Sequence, residues 1–198
     1  MTEIEPRRIA IIQGHPDPAG KRLCHALADA YAEGAREGGH SVRRIETAAL
    51  DFPILRTQED FERGQLPPQL SEAWDAIRWA NHLVIIFPLW LGTMPALLKA
   101  FLEHIARPGY AFEYVKDGFP KKMLGGRSAR LVVTMGMPAF VYRLWYCAHA
   151  LRAMERNILK FVGISPVKDT LIGMAGQMSE AKVRGCLDDM RKLGARGQ

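Results

Sequence analysis

The stretch that decides the fold of this chain is 82-HLVIIFPLWLGTMPALLKAF-101. Its apolar run 83–87 is typical of a strand that is buried on both faces of a parallel sheet. Pro88 ends this run, and Pro95 stands where a helix can begin, because the first helical turn does not use that N–H. The apolar loop 89–94 therefore follows the carboxyl end of a strand, the edge at which open α/β sheets bind ligands. Spacing alone leaves two interpretations open: the loop contacts a flat apolar ligand, or it seals the end of the core.

The composition predicts a single globular domain that covers residues 1–198. Hydrophobic residues make up 48% of the chain and charged residues 24%, which is ordinary for a folded protein of this length. No apolar stretch approaches the ~20 residues that span a bilayer. The N-terminus also lacks the apolar core of a signal peptide. We therefore expect a cytoplasmic protein with no integral membrane segment.

Charge and cysteine usage exclude several classes of function. The net charge of +6 is scattered along the chain without a nucleic-acid-binding motif. We interpret it as a solvated surface that also favours anionic cofactors and substrates, and we expect no nucleic-acid partner. The three cysteines, Cys24, Cys147 and Cys186, lack metal-ligand spacing, so we expect neither a disulfide framework nor a metal site.

Strand and helix patterns alternate five times along the chain. The predicted strands are 8–13, 41–46, 83–87, 129–134 and 165–172. The predicted helices are 23–37, 67–80, 95–106, 142–161 and 179–193. Two long connections, 48–65 and 108–126, carry no clear periodicity. This alternation predicts a doubly wound parallel sheet, and five strands favour the flavodoxin-like three-layer sandwich with strand order 2-1-3-4-5.

In such a sheet the loops 14–22, 88–94 and 134–142 meet at one edge. The first of them ends at a helix N-terminus, where free N–H groups and the helix dipole favour a phosphate. Lys21 and Arg22 lie beside it, and His15 is close enough in sequence to donate a hydrogen bond. A tight turn with solvated basic residues remains the alternative. The loop contains neither a Walker A motif nor a Gly-x-Gly-x-x-Gly fingerprint, which disfavours a dinucleotide bound in the Rossmann manner.

The other two loops are predicted to form a flat slot. Residues 88–91 supply apolar side chains, and Gly136 in the loop 134–138 lets the backbone approach a ligand closely. A phosphate site beside a flat apolar slot with backbone N–H donors suits a flavin, whose ring gains charge on reduction.

Four motifs, taken together and in order, resemble one known family. They are IIQGHPDP at 11–18, LDFP at 50–53, FPLW at 87–90 followed by MPALLK at 94–99, and GYAF at 109–112. They are similar to those of the flavodoxin-like NAD(P)H:quinone oxidoreductases, which include DT-diaphorase, bacterial NADPH quinone reductases and ancillary flavoproteins of potassium-efflux systems. The resemblance covers nearly the whole chain.

This resemblance implies a flavin enzyme that works by two-electron, ping-pong hydride transfer. NAD(P)H would reduce the flavin at N5, and a quinone or similar small aromatic acceptor would then take its place. The family forms homodimers with active sites at the interface, so a homodimer is implied here. Acceptor specificity would lie in the segment 110–119 and in the partner subunit.

The resemblance also assigns roles to individual residues. The phosphate side of the flavin would be held by His15, Lys21, Arg22, Leu23 and Cys24. The ring would be lined by Pro88, Leu89, Trp90 and Leu91, and its pyrimidine edge would meet Thr134, Gly136 and Met137. Tyr142 and His149 match the Tyr and His that assist charge separation on the reduced flavin, His149 only if one residue is inserted. The alternative is a core or interface aromatic for Tyr142 and a surface or core histidine for His149.

Arg22 and Cys24 depart from the family pattern, which has Ser and Asn there, and this bears on the identity of the flavin. A basic Lys21-Arg22 pair suits the single phosphate of FMN or the pyrophosphate of FAD. The His-Pro-Asp-Pro loop favours FAD, with FMN as the alternative.

Two other functions remain open at this point. One is an electron carrier of the flavodoxin type, against which the basic charge and the hydroxyl-poor first loop argue. The other is an ancillary or regulatory flavoprotein of a membrane transport system.

Overall fold

The computed structural model describes residues 5–116 and 118–198. Its strands are β1 Arg8–Gln13, β2 Ser41–Glu46, β3 His82–Pro88, β4 Phe112–Glu113, β5 Lys121–Lys122, β6 Ser128–Thr134 and β7 Val167–Ile172. Its α-helices are α1 Leu23–Glu37, α2 Gln58–Arg63, α3 Ser71–Trp79, α4 Ala96–Ile105, α5 Ala139–Leu144, α6 His149–Ala153, α7 Lys160–Val162 and α8 Glu180–Ala195. A π-helical segment, Met154–Leu159, joins α6 to α7, and single 3-10 turns lie at Thr47–Ala49, Pro68–Leu70 and Ala175–Gln177.

Five strands form one parallel sheet in the order β2-β1-β3-β6-β7. In chain order this is 2-1-3-4-5, so the predicted flavodoxin-like sandwich is confirmed. The remaining strands, β4 and β5, pair antiparallel within the long connection 108–126.

The central strand β3 is buried along its whole length. Its alternate side chains point to opposite faces of the sheet. Val84 and Ile86 join the core under α1 and α8, whereas Ile85 and Phe87 join the core under α3, α4 and the helices after β6. A continuous apolar run is therefore required, because both faces of this strand are covered by helices.

Helix ends follow the capping signals in the sequence. Pro95 precedes α4 directly, as predicted from its missing N–H. Ser179 caps α8, and its hydroxyl accepts a hydrogen bond from the backbone N–H of Lys182 at 3.3 Å. The predicted bounds of β1, α1 and β2 agree with the structure.

The prediction of one long helix over 142–161 is wrong. The chain leaves the helix after Leu144 and passes through left-handed backbone at Cys147 and Ala148, with φ of 50° and 47°. Tyr142 stabilises this break through two hydrogen bonds. Its carbonyl accepts from the N–H of Ala148 at 3.0 Å, and its Oη accepts from the N–H of Leu151 at 3.3 Å.

The long connection 48–65 is joined to the rest of the protein by hydrogen bonds from two buried side chains. Thr57 caps α2 through its bond to the N–H of Asp60. The buried Arg107 donates to the carbonyl of Asp60 at 2.8 Å, and a ring nitrogen of His104 lies 2.7 Å from the carbonyl of Pro53. This segment is therefore surface packing rather than a free loop.

Within residues 5–116 and 118–198, no helix has both the length and the apolar composition needed to cross a membrane.

Close packing of α1 against α8 depends on two glycines. A Cβ on Gly34 would lie 2.0 Å from the carbonyl oxygen of Arg191, and a Cβ on Gly194 would lie 2.2 Å from the carbonyl oxygen of Tyr31. We predict that Gly34→Ala lowers the free energy of unfolding by about 1–3 kcal/mol, because the helices must separate.

The matched control is Gly185→Ala, also in a helix, where an added Cβ meets no atom of the described residues within 4 Å. That change should raise the free energy of unfolding by about 0.5–1 kcal/mol, because alanine favours the helix. Urea titrations with an unchanged m-value measure both effects. Equal stabilisation by the two substitutions would contradict the packing argument.

Candidate functional site

The loops after β1, β3 and β6 are joined by hydrogen bonds that continue the pairing of the strands. The N–H of Gly14 donates to the carbonyl of Ile86 at 2.8 Å, and the N–H of Leu89 donates to the carbonyl of Thr134 at 2.7 Å. The three loops are thus held side by side at the carboxyl edge of the sheet, as the strand order predicts.

A cavity of about 540 Å³ opens at this edge. Its lining combines the second and third loops with the helical break: Leu89, Leu91, Gly92, Met135, Gly136, Met137, Tyr142, Tyr146 and His149. Six of these nine were predicted from the sequence. The sequence reasoning missed Gly92, Met135 and Tyr146. Helical spacing could not have identified Tyr146, because the helix is broken between Tyr142 and His149.

The apolar loop 88–94 is a tight turn that projects from the sheet. Trp90 and Thr93 exchange backbone hydrogen bonds of 2.8 and 2.9 Å, and Leu91 and Gly92 both have left-handed backbone, with φ of 47° and 80°. This is the geometry of a type I′ turn. Leu91 is fully exposed and Trp90 is half-exposed, so these two side chains do not seal the core. Pro88, by contrast, is buried as the last residue of β3.

His15 connects the first loop to the second. Its ring meets the Trp90 ring edge-on, with centroids 5.9 Å apart. Burial lowers the pKa of His15, and the neighbouring His25 lowers it further, so the ring is neutral at pH 7. The N–H of Asp17 donates to His15 Nδ1 at 3.1 Å, which leaves the ring proton on Nε2 as a donor.

The N-terminus of α1 is open for an anion. Arg22 occupies the N-cap position, no side chain of the described residues caps the first turn, and that turn contains no acidic residue. Lys21 and Arg22 are exposed, and Leu23 is half-buried. Arg22 Nε lies 2.7 Å from Asp17 Oδ2, so this carboxylate holds the guanidinium beside the helix end. Free N–H groups and the helix dipole favour one phosphate there.

Cys24 ties α1 to β6. Its Sγ lies 3.2 Å from Thr134 Oγ1, and both side chains are buried. Burial raises the pKa of the Cys24 thiol to about 11, so it is not a thiolate at neutral pH. Since both side chains are turned into the core, the two residues present their backbone rather than their side chains to the edge of the sheet.

The third loop offers unused backbone donors. Within residues 5–116 and 118–198, no hydrogen bond engages the N–H groups of Gly136 and Met137. An added Cβ on Gly136 would meet no atom of those residues within 4 Å, so the space over its backbone is open. A planar ligand in the cavity could accept hydrogen bonds from this loop.

Tyr142 and His149 come together in the lining of the cavity. Tyr142 is only 2% exposed, and burial raises its pKa, so the phenol keeps its proton at neutral pH. Its Oη accepts from Leu151, which leaves the O–H free to donate. His149 is exposed at the first residue of α6.

The described residues of the segment 110–119 do not line the cavity within this chain. Tyr110 is structural, because its Oη accepts from the N–H of Leu66 at 2.9 Å. Tyr114 and Phe119 are exposed, Phe119 to 95%. Among the described residues, no three His, Cys, Asp or Glu side chains are grouped so that they could hold a metal ion.

Known proteins resemble this chain along most of its length. A protein of Nitratidesulfovibrio vulgaris named FMN-dependent NADH:quinone oxidoreductase is 31% identical over 200 residues, which cover 89% of this chain and 93% of the relative. A protein of Ruegeria pomeroyi with the same name is 29% identical over 133 residues, 60% of this chain and 65% of the relative, so this match spans less than two thirds of that protein.

A solved structure named NAD(P)H:quinone oxidoreductase, from Methanothermobacter marburgensis, superposes with a TM-score of 0.80 at 23% identity and covers 98% of this chain and 100% of its own. That likeness establishes the fold. The family model described as flavodoxin-like fold matches residues 7–193. The chain therefore belongs to the flavodoxin-like family, among whose members it is similar to FMN-dependent NADH:quinone oxidoreductases.

Proposed function

We propose that this chain is a flavin-dependent NAD(P)H:quinone oxidoreductase and that its flavin is FMN. One observation carries the proposal: the cavity at the carboxyl edge is lined both by apolar side chains and by residues with free backbone donors. Leu89 and Leu91 supply the apolar side, and the N–H groups of Gly136 and Met137 are the donors. Its relatives' names point to the same chemistry.

Residues of the three loops suit the different parts of a flavin. The uncapped N-terminus of α1, with Arg22 and the Nε2–H of His15, suits the phosphate end. Trp90 and Leu89 suit the ring, and the donors of the third loop suit its polar edge. A bound flavin supplies the hydride chemistry that amino-acid side chains lack.

FMN fits the first loop better than FAD does. One helix N-terminus serves one phosphate, and the carboxylate of Asp17, already paired with Arg22, would repel a second phosphate beside it. Asp17 is held ionised, because hydrogen bonds from the N–H of Ala19 and from Arg22 lower its pKa.

The chain's own residues then control charge at the polar edge of the ring. Backbone donors at Gly136 and Met137 stabilise negative charge that develops nearby, without any need to reorient. The neutral Tyr142 phenol and the exposed His149 can donate protons into the same cavity. Cys24, held as a protonated thiol, takes no part as a nucleophile.

We further propose that the chain forms a homodimer through the surface beside the cavity. Phe140, Leu144 and Trp145 are exposed to 67%, 76% and 82%, and they lie on and just after α5. Exposed apolar side chains grouped beside a binding cavity favour a protein partner. A second copy would cover them and complete the acceptor site, where the exposed residues of 110–119 would contribute.

Sedimentation velocity tests the dimer: we expect twice the chain mass of 22.2 kDa, and Trp145→Asp should shift the protein toward the monomer. A wild-type protein that stays monomeric at micromolar concentration would overturn this part of the proposal.

The purified protein is predicted to carry flavin and to be reduced by NAD(P)H. Its absorbance spectrum should show the flavin bands, and mass analysis of the released cofactor should give FMN. Stopped-flow mixing with NADH or NADPH should bleach those bands, and a quinone should restore them. If neither nucleotide reduces the flavin within seconds, the chain is an electron carrier of the flavodoxin type and not this enzyme.

A substitution in the turn 88–94 tests whether this turn contacts the flavin. Trp90→Ala should weaken FMN binding about fivefold, the effect of one lost aromatic contact worth about 1 kcal/mol. Ile54→Ala is the control, because Ile54 is an exposed apolar residue that belongs to none of the three loops at the carboxyl edge. Equal FMN dissociation constants for the two variants would show that the turn does not contact the flavin.

We predict that Tyr142→Phe slows flavin reduction by NAD(P)H about tenfold to a hundredfold while the FMN content is unchanged, because a proton donor of the cavity is lost. Tyr110→Phe is the matched control. It also removes a hydroxyl that accepts a backbone N–H, but it lies outside the cavity. Stopped-flow rates measure both variants, and similar rates for the two would assign Tyr142 a structural role alone.

A further inference from the structure

A second cleft, of about 680 Å³, lies at the opposite, amino edge of the sheet. It forms where β1, β3, β6 and β7 begin. Its lining includes Arg7, Asn81, His82, Arg127, Ser128 and Lys168. The seven-residue strand β3, which spans ~20 Å, separates this cleft from the carboxyl edge.

Backbone hydrogen bonds fix the walls of this cleft. Asn81 receives the N–H of Arg8 on its Oδ1 at 3.0 Å and donates its own N–H to the carbonyl of Arg8 at 2.9 Å. The N–H of Ser128 donates to the carbonyl of Asn81 at 3.1 Å, and the N–H of Ser165 donates to the carbonyl of Arg127 at 2.8 Å. A ligand would therefore meet a preformed surface.

The cations of the cleft have no counter-ions within the described residues. Arg7, Arg127 and Lys168 take part in none of the ion pairs found there, although many surface cations elsewhere do. Arg127 donates only to the carbonyls of Gly125 and Arg78, and its buried Nε has no partner. Glu5 is the one acidic side chain in the lining. The lining thus has three cationic side chains against one acidic side chain, and it also includes Gln198, the last residue of the sequence. Among the side chains, positive charge is in excess.

Buried His82 lies behind this positively charged surface as an uncharged polar group. Arg7 Nη1 donates to Ser128 Oγ at 3.3 Å, and that hydroxyl lies 2.8 Å from His82 Nδ1. His82 is 3% exposed, and its Nε2 has no partner within the described residues. Burial, together with the positive charges of Arg7, Arg130 and Lys168 and the nearby His40, lowers the pKa of His82 to about 3.

We propose that this amino-edge cleft binds a small molecule that carries a phosphate group, with Arg7, Arg127 and Lys168 as its cationic contacts. Guanidinium and ammonium groups without counter-ions are the groups that bind phosphate in proteins. The cleft volume exceeds that of a single phosphate and falls within the range of small-molecule sites. The ligand is therefore a phosphate ester rather than the free ion. The site is separate from the flavin site and does not depend on the proposed function.

Calorimetric titration of the flavin-saturated protein at constant ionic strength tests the proposal. Inorganic phosphate, AMP and adenosine are the probes. Phosphate and AMP should bind saturably, AMP more tightly, and adenosine should not bind. Lys168→Gln should weaken AMP binding at least fivefold, because one cationic contact of the phosphate is lost. The Lys168 side chain makes no hydrogen bond or ion pair within the described residues, so the substitution breaks no structural contact.

Two further variants, which also remove one positive charge each, locate the bound ion. Arg184→Gln, which changes an exposed residue of α8 outside the cleft, should leave AMP affinity within twofold of wild type. Arg22→Gln tests the phosphate site at the N-terminus of α1. If AMP binds more weakly to this variant but with unchanged affinity to Lys168→Gln, the ion lies at α1 and the proposal is overturned. Binding of adenosine as tight as that of AMP, or no saturable heat up to about 10 mM probe, would also overturn it. Flavin content, followed by absorbance in each sample, reports separately on the proposed function.

Discussion

The pairing of β3 with β1 and β6 is the constraint on which the rest of this structure depends. Because β3 is buried throughout, its neighbours are held in one register, and hydrogen bonds carry that register past the strand ends. The bond from Gly14 to Ile86 and the bond from Leu89 to Thr134 place three loops side by side. The cavity is a consequence of this pairing, since its walls come from loops that are far apart in sequence.

This dependence explains why much of the fold could be predicted from the sequence. A strand buried on both faces must be apolar without interruption, and 83–87 is the clearest such run in the chain. Glycine and proline mark the ends of the first strand and helix, so the bounds of β1 and α1 followed from local chemistry. Once five strands alternate with helices, few topologies remain, and the converging loops are then determined.

What the sequence could not predict depends on tertiary contacts. The break in the helix after β6 places Ala148 in left-handed backbone, a conformation for which alanine carries no local signal. It is stabilised by Tyr142, whose carbonyl and hydroxyl accept from residues six and nine positions along the chain. That break turns Tyr146 and His149 toward the same cavity as Tyr142. The direction of the Cys24 side chain, toward Thr134, is likewise set by packing rather than by its neighbours in sequence.

The two edges of the sheet offer different donor groups to an anion. At the carboxyl edge the donors are mainly backbone N–H groups and a neutral histidine, and the nearby cation Arg22 is balanced by Asp17. At the amino edge the donors are long cationic side chains with no carboxylate partner in the described residues. Backbone donors are fixed and suit a cofactor that stays bound, whereas cationic side chains at an open cleft suit a ligand that exchanges with solvent. The net charge of +6 is therefore not only a solvated surface, because part of it is concentrated where the strands begin.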